Sequence, residues 1–198
     1  MKKVVLVGDS ICAWYSEYVA KELEGVCEVI YSNEENGRFA AFSLHKLNGL
    51  IQSAGGKVDL VHFNNGYHDM GTLINGERVH PIPEYLHFLK RIINLSRFAG
   101  AKVVFATTTP LVDAVTAEDN MGTGVVISAR NETVIEYNNA AKALMKTEGV
   151  AINDLYELCI KHPTCYKCED MLHHSHEGNL ACAKVIADFI KKELGIDD

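Results

Sequence analysis

Short, continuous apolar runs alternate with amphipathic stretches along the chain. The runs are rich in β-branched residues, as is typical of strands that are covered on both faces of a sheet. They are KKVVLVG (2–8), VCEVIYS (26–32), VDLVHFN (58–64), AKVVFATTT (101–109) and, as a weaker example, GVAIND (149–154). This pattern predicts five strands.

The stretches between these runs have the spacing of amphipathic helices. In the last of them the apolar residues recur at intervals of three and four and form one stripe: Leu180, Ala183, Ala187, Ile190 and Leu194. Strands that alternate with helices favour right-handed crossovers and a parallel sheet with helices on both faces. We therefore predict an α/β protein, a single domain spanning 1–198, in which five main helices and a five-stranded parallel sheet form a three-layer α/β/α sandwich of flavodoxin-like topology.

Two connections are longer than usual, 70–81 and 110–129, and both follow predicted strands. Both therefore start at the carboxyl edge of the sheet, which is where open α/β folds bind ligands. Long loops at this edge are often functional. The pattern places a candidate site there.

Composition and charge narrow the classes of partner. A chain of 198 residues with 47% hydrophobic residues and a formal net charge of −7 is typical of a globular domain with an acidic surface. Such a surface repels phosphate backbones and anionic lipids, so we expect no nucleic-acid or membrane partner. The first residues lack the apolar core of a signal peptide, and no apolar stretch reaches the ~18–20 residues of a membrane-spanning helix. We expect a cytoplasmic protein whose cysteines are free thiols: Cys12, Cys27, Cys159, Cys165, Cys168 and Cys182.

Gly8, Asp9 and Ser10 directly follow the first predicted strand. A residue at a strand-to-helix junction lies beside the unpaired N–H groups of the first helical turn, which stabilise a negatively charged oxygen. A serine hydroxyl there is well placed to attack a carbonyl group whose oxyanion the same backbone can bind. Serine and aspartate are also good helix caps, so the tripeptide by itself fits either role for Ser10.

A serine nucleophile needs a base and an acidic group that orients the base. Asp170 and His173 are three residues apart, just before the last amphipathic helix. In a turn, this spacing can place the carboxylate and the imidazole on the same side of the chain. A solvated aspartate and histidine in a loop would have the same spacing.

Taken together, these segments resemble the SGNH, or GDSL-type, hydrolase superfamily. The resemblance starts with GDS after the first strand and ends with DxxH before the last helix. Between them, Gly37 follows the second strand, the stretch Gly66-Tyr67-His68-Asp69 is in register with the family's GxND motif, and TTTP (107–110) is similar to the Thr-Pro that often closes the fourth strand. The similarity extends from residue 4 to about residue 194.

The resemblance implies roles for individual residues. Ser10 would be the nucleophile, His173 the general base and then acid, and Asp170 its orienting partner. The backbone N–H groups of Ser10 and Gly37 would bind the oxyanion, together with one side chain from the third motif.

The third motif departs from the family pattern. His68 stands where the family has asparagine, and Asn65 lies just upstream. A neutral imidazole N–H can donate much as an amide does, so either His68 or Asn65 would be the third oxyanion donor. Asn65 and Tyr67 are also predicted to contact substrate at the edge of the pocket.

The expected reaction is hydrolysis of carboxylic esters through an acyl-enzyme, without a cofactor. The two long connections are mixed in polarity rather than strongly apolar, which favours short acyl groups such as acetyl over long chains. Aromatic residues near Ser10, Trp14 among them, suit stacking on a sugar. We therefore expect a small-molecule or carbohydrate ester as the substrate.

Two other interpretations fit parts of the sequence. A metal-binding protein or zinc hydrolase would use a cluster of soft ligands, in which a Cys-x-x-Cys pair is followed by histidines. The residues of this cluster are His162, Cys165, Cys168, His173, His174 and His176. Alternatively, the protein would keep the SGNH fold as a binding module without catalysis, which the change to His68 leaves open.

Overall fold

The computed structural model describes residues 1–32, 34–73, 75–111, 115–118, 125–162, 170 and 172–196. The strands are β1 (Lys2–Gly8), β2 (Cys27–Ile30), β3 (Leu60–Asn64), β4 (Thr72–Leu73), β5 (Lys102–Ala106), β6 (Val115–Glu118), β7 (Val125–Ala129) and β8 (Ala151–Asn153). The helices are α1 (Ser10–Glu22), α2 (Ala40–Ser53), α3 (Ile82–Phe98), α4 (Asn131–Glu148), α5 (Leu155–Lys161) and α6 (His176–Leu194).

Five of these strands form one parallel sheet in the order β2-β1-β3-β5-β8. The order is that of flavodoxin-like folds, in which the chain starts inside the sheet and reverses direction at the first strand. Helices α1 and α6 pack against each other on one face, and α2, α3 and α4 pack in a row on the other. The predicted three-layer α/β/α sandwich with a five-stranded parallel sheet is confirmed.

The central strands are buried because helices cover both of their faces. All five residues of β3 are buried, as are Val4 to Gly8 of β1. The largest buried side chains include Phe63 of β3 and Phe105 of β5, whose rings lie 5.3 Å apart. Full burial of each such side chain contributes about 2 kcal/mol to the stability of the fold. The continuous apolar runs of the sequence therefore correspond to the strands that are buried inside the sheet.

The two long connections contain more regular structure than the sequence indicates. Strand β4 of the first connection pairs with β7 of the second, and β7 pairs with β6, all antiparallel. The result is a second, three-stranded sheet. Its strands are short, so their two-residue periodicity is too brief to recognise in the sequence.

Helix α5 is a further addition to the five helices predicted. Asp154 caps it by accepting a hydrogen bond from the backbone N–H of Glu157 at 3.2 Å. With only 7 residues, the helix is too short to show an apolar stripe. Among the described residues, no helix combines the length and the apolar character needed to cross a membrane.

Candidate active site

Ser10 lies at the junction between the first strand, β1, and the helix that follows it, α1, as the sequence predicts. Its neighbour Asp9 is the helix cap, because the Asp9 carboxylate accepts a hydrogen bond from the Ile11 N–H at 3.0 Å. Ser10 is the first helical residue and is partly exposed. Asp9 therefore takes the capping role, and the hydroxyl of Ser10 is available for another partner.

That partner is His173. The Oγ atom of Ser10 lies 2.7 Å from Nε2 of His173, and Nδ1 of the same ring lies 2.5 Å from Oδ2 of Asp170. When Nδ1 carries the proton and donates to Asp170, Nε2 accepts from the serine hydroxyl. The structure thus brings Ser10, His173 and Asp170 into one hydrogen-bonded chain across 163 positions of sequence.

The Asp170 carboxylate is held by the turn in which it lies. Its Oδ1 atom accepts hydrogen bonds from the backbone N–H groups of Leu172 at 3.0 Å and His173 at 2.8 Å. Partial burial works against its ionisation, but the hydrogen bonds from His173 and Leu172 outweigh this effect and hold the pKa of Asp170 below its usual value. The carboxylate is therefore negatively charged at neutral pH, as a partner of an imidazole must be to orient it.

Trp14 covers one face of the His173 ring. The two rings are nearly parallel, at 14°, with their centroids 4.4 Å apart. Trp14 lies one turn after Ser10 on α1, so the helix that carries the serine also supports the histidine. The side chain of Trp14 is 44% exposed, which leaves its outer face open to solvent.

The loop before α2 brings Gly37 beside the end of β1. The Gly37 N–H donates a hydrogen bond to the carbonyl oxygen of Gly8. A Cβ atom at position 37 would overlap Oγ of Ser43 and lie 2.6 Å from that carbonyl oxygen, so only glycine fits this approach. The predicted oxyanion role of Gly37 therefore requires its amide to turn away from Gly8.

Asn65 lies just before the third motif and is fully buried. Its amide nitrogen donates to the carbonyl oxygen of Arg38 and to Oγ of Ser43, both at 2.9 Å. Both amide hydrogens therefore have acceptors within the protein. Of the two predicted candidates for the third oxyanion donor, His68 is the one that is partly exposed.

The backbone around His68 is held by a buried Asp–His pair. Asp69 is fully buried, and its Oδ1 atom lies 2.7 Å from Nδ1 of His80. The same carboxylate accepts from the N–H of Ala40, the first residue of α2, at 3.0 and 3.2 Å. Burial raises the pKa of Asp69, and the hydrogen bonds from His80 and Ala40 oppose that rise. Asp69 thus joins the third motif to the loop that contains Gly37.

Asn65 and Tyr67, the two residues predicted to contact substrate, are both buried in the structure. Tyr67 is 1% exposed, and its hydroxyl donates to the carbonyl oxygen of Thr109 at 2.5 Å. The side-chain amide of Asn65 and the hydroxyl of Tyr67 therefore bond to groups within the protein. Their sequence positions next to His68 gave no sign of this orientation.

The cleft beside Ser10 is lined by other residues. It has a volume of about 360 Å³, within the usual size of small-molecule sites. Besides Ser10, its lining consists of Ala13, Trp14, Glu34, Glu35, Asn36 and Arg38. Sequence reasoning missed the acidic and basic members, which lie in the loop between β2 and α2 without a recognisable motif.

Arg38 is the residue of this loop with an unusual backbone. Its φ of 45° is the one positive φ at a non-glycine residue in the described part of the chain. The Arg38 N–H donates to Oδ1 of Asn36 at 2.8 Å, and the guanidinium forms an ion pair with Glu35 at 3.2 Å. A left-handed backbone at such a residue costs on the order of 1 kcal/mol and occurs often at functional sites.

Asp9 is a second buried carboxylate next to Ser10. Burial is the largest effect on it and raises its pKa to about 6, while hydrogen bonds from Asn64 and Ile11 act in the opposite direction. The Asn64 amide donates to Oδ1 at 2.9 Å, whereas Oδ2 is a buried oxygen without a hydrogen-bond partner. The fold thus buries an incompletely hydrogen-bonded carboxylate directly beside Ser10, which is unfavourable for the stability of the protein.

The predicted cluster of soft ligands is divided in the structure. Cys165 and Cys168 lie outside the described residues, His173 is bound to Ser10 and Asp170, and Nδ1 of His176 lies 3.2 Å from the hydroxyl of Tyr18. His162 ends α5 and is exposed. His174 is buried and approaches Cys159 and Cys182, two cysteines that the predicted cluster did not include.

Comparisons with known proteins show similarity in the fold. No protein-family model and no curated protein matches the sequence. Solved structures match over nearly the whole chain. A lipase/acylhydrolase from Enterococcus faecalis is 19% identical with a TM-score of 0.76, and each chain is fully covered. A carbohydrate acetylesterase from Sinorhizobium meliloti is 16% identical with a TM-score of 0.73, over 98% of this chain and 100% of that one.

A third similar structure is an aryl esterase from M. smegmatis, which is 13% identical with a TM-score of 0.74, over 97% of this chain and 99% of that one. Because these identities are low, the similarity concerns the arrangement of strands and helices rather than the details of the site. The resemblance noted in the sequence is confirmed at that level: the chain has the fold of the SGNH, or GDSL-type, hydrolases.

Proposed function

We propose that the protein is a serine esterase that hydrolyses short-acyl esters of polar alcohols through an acyl-enzyme. The observation that carries this proposal is the hydrogen-bonded chain Ser10–His173–Asp170, with contacts of 2.7 and 2.5 Å. The esterases and acylhydrolases among the similar structures make the same class of reaction the natural candidate.

In the acylation step, Ser10 Oγ attacks the ester carbonyl while Nε2 of His173 accepts the hydroxyl proton. The imidazolium that forms is stabilised by the Asp170 carboxylate, which stays ionised. His173 then returns the proton to the departing alcohol oxygen. In deacylation, water replaces the alcohol, His173 again accepts a proton, and the acid is released from Ser10.

The oxyanion that forms during each attack needs preorganised donors. The Ser10 N–H is one, because it lies in the first turn of α1, whose N–H groups have no acceptors within the helix. His68 is the second donor in this proposal, since the amide hydrogens of Asn65 already bind Arg38 and Ser43. Gly37 becomes a third donor when its amide leaves the carbonyl of Gly8.

The cleft next to Ser10 supports a polar leaving alcohol. Glu34, Glu35 and Arg38 supply charged groups that bind hydroxyls, and the exposed face of Trp14 suits stacking on a sugar ring. One of the similar structures is a carbohydrate acetylesterase. We therefore propose acetyl esters of carbohydrates or similar polyols as the substrate class.

Covalent labelling tests the mechanism directly. A fluorophosphonate probe should label the wild-type protein at Ser10, as located by peptide mass spectrometry, and the protein should hydrolyse p-nitrophenyl acetate. The variant Ser10→Ala should lose labelling and at least about 10⁴-fold in kcat. The variant Ser53→Ala, which alters an exposed helical serine, is the control and should behave as the wild type. Turnover that survives Ser10→Ala would exclude the proposed mechanism, and a wild type that neither reacts nor turns over would favour a binding module.

A panel of substrates tests the proposed specificity. With p-nitrophenyl esters of increasing acyl length, kcat/KM should fall about tenfold or more between acetyl and octanoyl, because an octanoyl chain would place apolar carbons against the charged side chains of Glu34, Glu35 and Arg38 beside Ser10. Acetylated monosaccharides, assayed by release of acetate, should be hydrolysed, and Trp14→Ala should raise their KM. A preference for octanoyl esters would contradict the assignment of short acyl groups.

A further inference from the structure

A second group of reactive side chains lies behind the candidate active site, where no step of the proposed reaction uses it. Cys159 of α5, Cys182 of α6 and His174, from the segment between them, form what we call the thiol–imidazole cluster. Cys159 and Cys182 are 0% exposed and His174 is 1% exposed. Three separate parts of the chain therefore converge on one buried point.

The distances within the cluster are close to those of a metal site. One ligand atom from each residue can be chosen so that all three lie within 4.8 Å of one another. Nδ1 of His174 lies 3.6 Å from Sγ of Cys182, and Nε2 lies 3.8 Å from Sγ of Cys159. In a tetrahedral zinc site with Zn–S of about 2.3 Å and Zn–N of about 2.0 Å, the ligand atoms are about 3.5–3.8 Å apart. Because an imidazole gives one nitrogen to one metal and the two thiols lie near opposite nitrogens of His174, binding of a common ion would require adjustment of the ring and of one thiol.

The chemistry of the donors selects the ion. Two thiolates and an imidazole are soft or borderline ligands, which prefer zinc over magnesium or calcium. Binding of Zn²⁺ would release two thiol protons, and the resulting pair of thiolates would neutralise the ion. Neutrality matters at this point, because an uncompensated charge among fully buried side chains is strongly unfavourable. Oγ1 of Thr109 lies 3.3 Å from Nε2 of His174, so an oxygen atom also borders the cluster.

We propose that the thiol–imidazole cluster is a zinc site that joins α5 and α6 to the segment carrying Asp170 and His173. His174 directly follows His173, so a metal held by His174 restrains the backbone that positions Nε2 against Ser10. The ion itself is separate from the reacting atoms. Its role is to stabilise the fold around them, and this role is independent of whether the protein is an esterase.

Metal binding by the full-length protein tests the proposal. The protein, kept reduced with a phosphine, is loaded with Zn²⁺ and freed of excess ion, and its zinc content is measured by mass spectrometry of the metal. We expect one zinc per chain, and a melting temperature about 5 °C or more higher at a zinc concentration about 100 times Kd. The variants Cys159→Ser and Cys182→Ser should each weaken zinc binding by about 100-fold or more, because each removes one of three protein ligands.

Two controls separate this site from other thiols. Cys27→Ser alters a buried free cysteine on β2, and the double variant Cys165→Ser/Cys168→Ser removes the pair that the sequence offered as a zinc ligand set. Both should retain one zinc per chain. The proposal is overturned if the wild type binds no zinc, or if binding is lost in the double variant and kept in Cys159→Ser and Cys182→Ser.

Wild-type protein provides the decisive measurement should the serine variants fail to fold. Loading with Co²⁺ should produce the thiolate charge-transfer absorption and the intense visible bands of a tetrahedral site. Zn²⁺ should slow alkylation of Cys159 and Cys182, followed by peptide mass spectrometry, while alkylation of Cys27 keeps its rate. Absence of thiolate bands, or equal protection of Cys27, would overturn the proposal. Ester hydrolysis is not a readout in any of these experiments, so the site and the proposed function can fail independently.

Discussion

Two Asp–His pairs in the described part of the chain have similar geometry and very different surroundings. Nδ1 of His173 lies 2.5 Å from Asp170, and Nδ1 of His80 lies 2.7 Å from Asp69. The side chain of Asp170 is 49% exposed and that of Asp69 is 0% exposed. In the first pair the second ring nitrogen contacts a serine hydroxyl, whereas in the second pair the carboxylate binds the N–H of Ala40.

This difference separates a pair that can exchange protons from one that holds loops together. The outer pair lies at the cleft edge, where its histidine meets Ser10 and solvent. The inner pair is shut in by Phe39 and Phe88, whose ring centroids lie 5.2 and 5.1 Å from that of His80. A hydrogen-bonded Asp–His pair is therefore not a sign of catalysis by itself, and the third partner and the exposure decide what it does.

Removal of His173 should mainly lower the catalytic rate, whereas removal of His80 should mainly lower the stability of the fold. His173→Ala should lower kcat for p-nitrophenyl acetate by about 10⁴-fold, because the general base is lost, with a small change in the free energy of unfolding. His80→Ala should lower the free energy of unfolding by about 3 kcal/mol, because it leaves a buried carboxylate without its partner. Urea denaturation and steady-state kinetics measure the two quantities.

The variant His80→Asn controls for packing, because its amide can still donate to Asp69 and should recover most of the lost stability. Equal losses of kcat in His173→Ala and His80→Ala, at a temperature where both are folded, would contradict the distinction between the two pairs.

His68 lies one residue before the inner pair and tests whether that pair positions a catalytic donor. His68→Ala should lower kcat by about 10²–10³-fold with little change in KM, the usual result of removing one oxyanion donor. His68→Asn should restore much of the rate, since an amide can donate from a similar place. An unchanged kcat in His68→Ala would instead assign the oxyanion to backbone donors alone.

Asp9 is a buried carboxylate without a histidine partner. Its contribution to the stability of the fold should therefore depend on pH in a different way from that of Asp69 and Asp170. Its pKa is about 6 in the folded protein and 3.8 in the absence of burial. Because the folded state favours the protonated form, the stabilising contribution is complete below about pH 4 and is lost as the pH rises through about 6. The shift corresponds to about 3 kcal/mol.

Comparison of Asp9→Asn with the wild type isolates this contribution, because asparagine keeps the helix cap and does not titrate. The free energy of unfolding of the variant, relative to the wild type, should increase by about 3 kcal/mol between pH 4 and pH 8. Urea denaturation at several pH values provides the measurement, and a difference that stays constant with pH would show that Asp9 is not protonated on folding.

Substitution of the aromatic residues that contact His173 and His80 should have the smallest effects on kcat. Trp14 lies flat on His173, where its ring would stabilise the imidazolium of the proposed acylation step by about 1 kcal/mol. Trp14→Ala should therefore lower kcat for p-nitrophenyl acetate about fivefold without a matching change in KM, and Trp14→Phe should recover most of it. Phe88→Leu, beside His80, is the control and should leave kcat within about twofold. A larger loss in Phe88→Leu than in Trp14→Ala would contradict a positioning role for Trp14.

Much of this protein could be predicted from the sequence because much of it is set by local patterns. Continuous apolar runs located the strands of the parallel sheet, and a stripe of apolar residues located α6. The order of strands and helices places Ser10 at the carboxyl edge of β1. Asp170 and His173 are close in sequence, so a single turn forms their hydrogen bonds, and their candidate role could be stated in advance.

Contacts between distant parts of the chain could not be predicted in this way. Asn65 and Tyr67 lie within three residues of His68 in sequence, yet their polar groups bond to Arg38, Ser43 and Thr109. Asp69 meets His80 and Ala40, and Cys159 meets His174 and Cys182, across separations that carry no periodic signal. The small sheet of β4, β6 and β7 also depends on pairing between distant segments, so it could not be predicted from the sequence pattern.

The sequence by itself determined the order of the elements, the layered α/β fold and the residues able to form a triad. Each of these depends on the chemistry of neighbouring residues and on the 3.6- or two-residue periodicity of their side chains. Only the tertiary structure decided which amides are already bonded, which Asp–His pair reaches the cleft and which thiols meet an imidazole. Those outcomes depend on how helices and strands pack in three dimensions, because burial and hydrogen bonding between distant segments arise only when the elements come together.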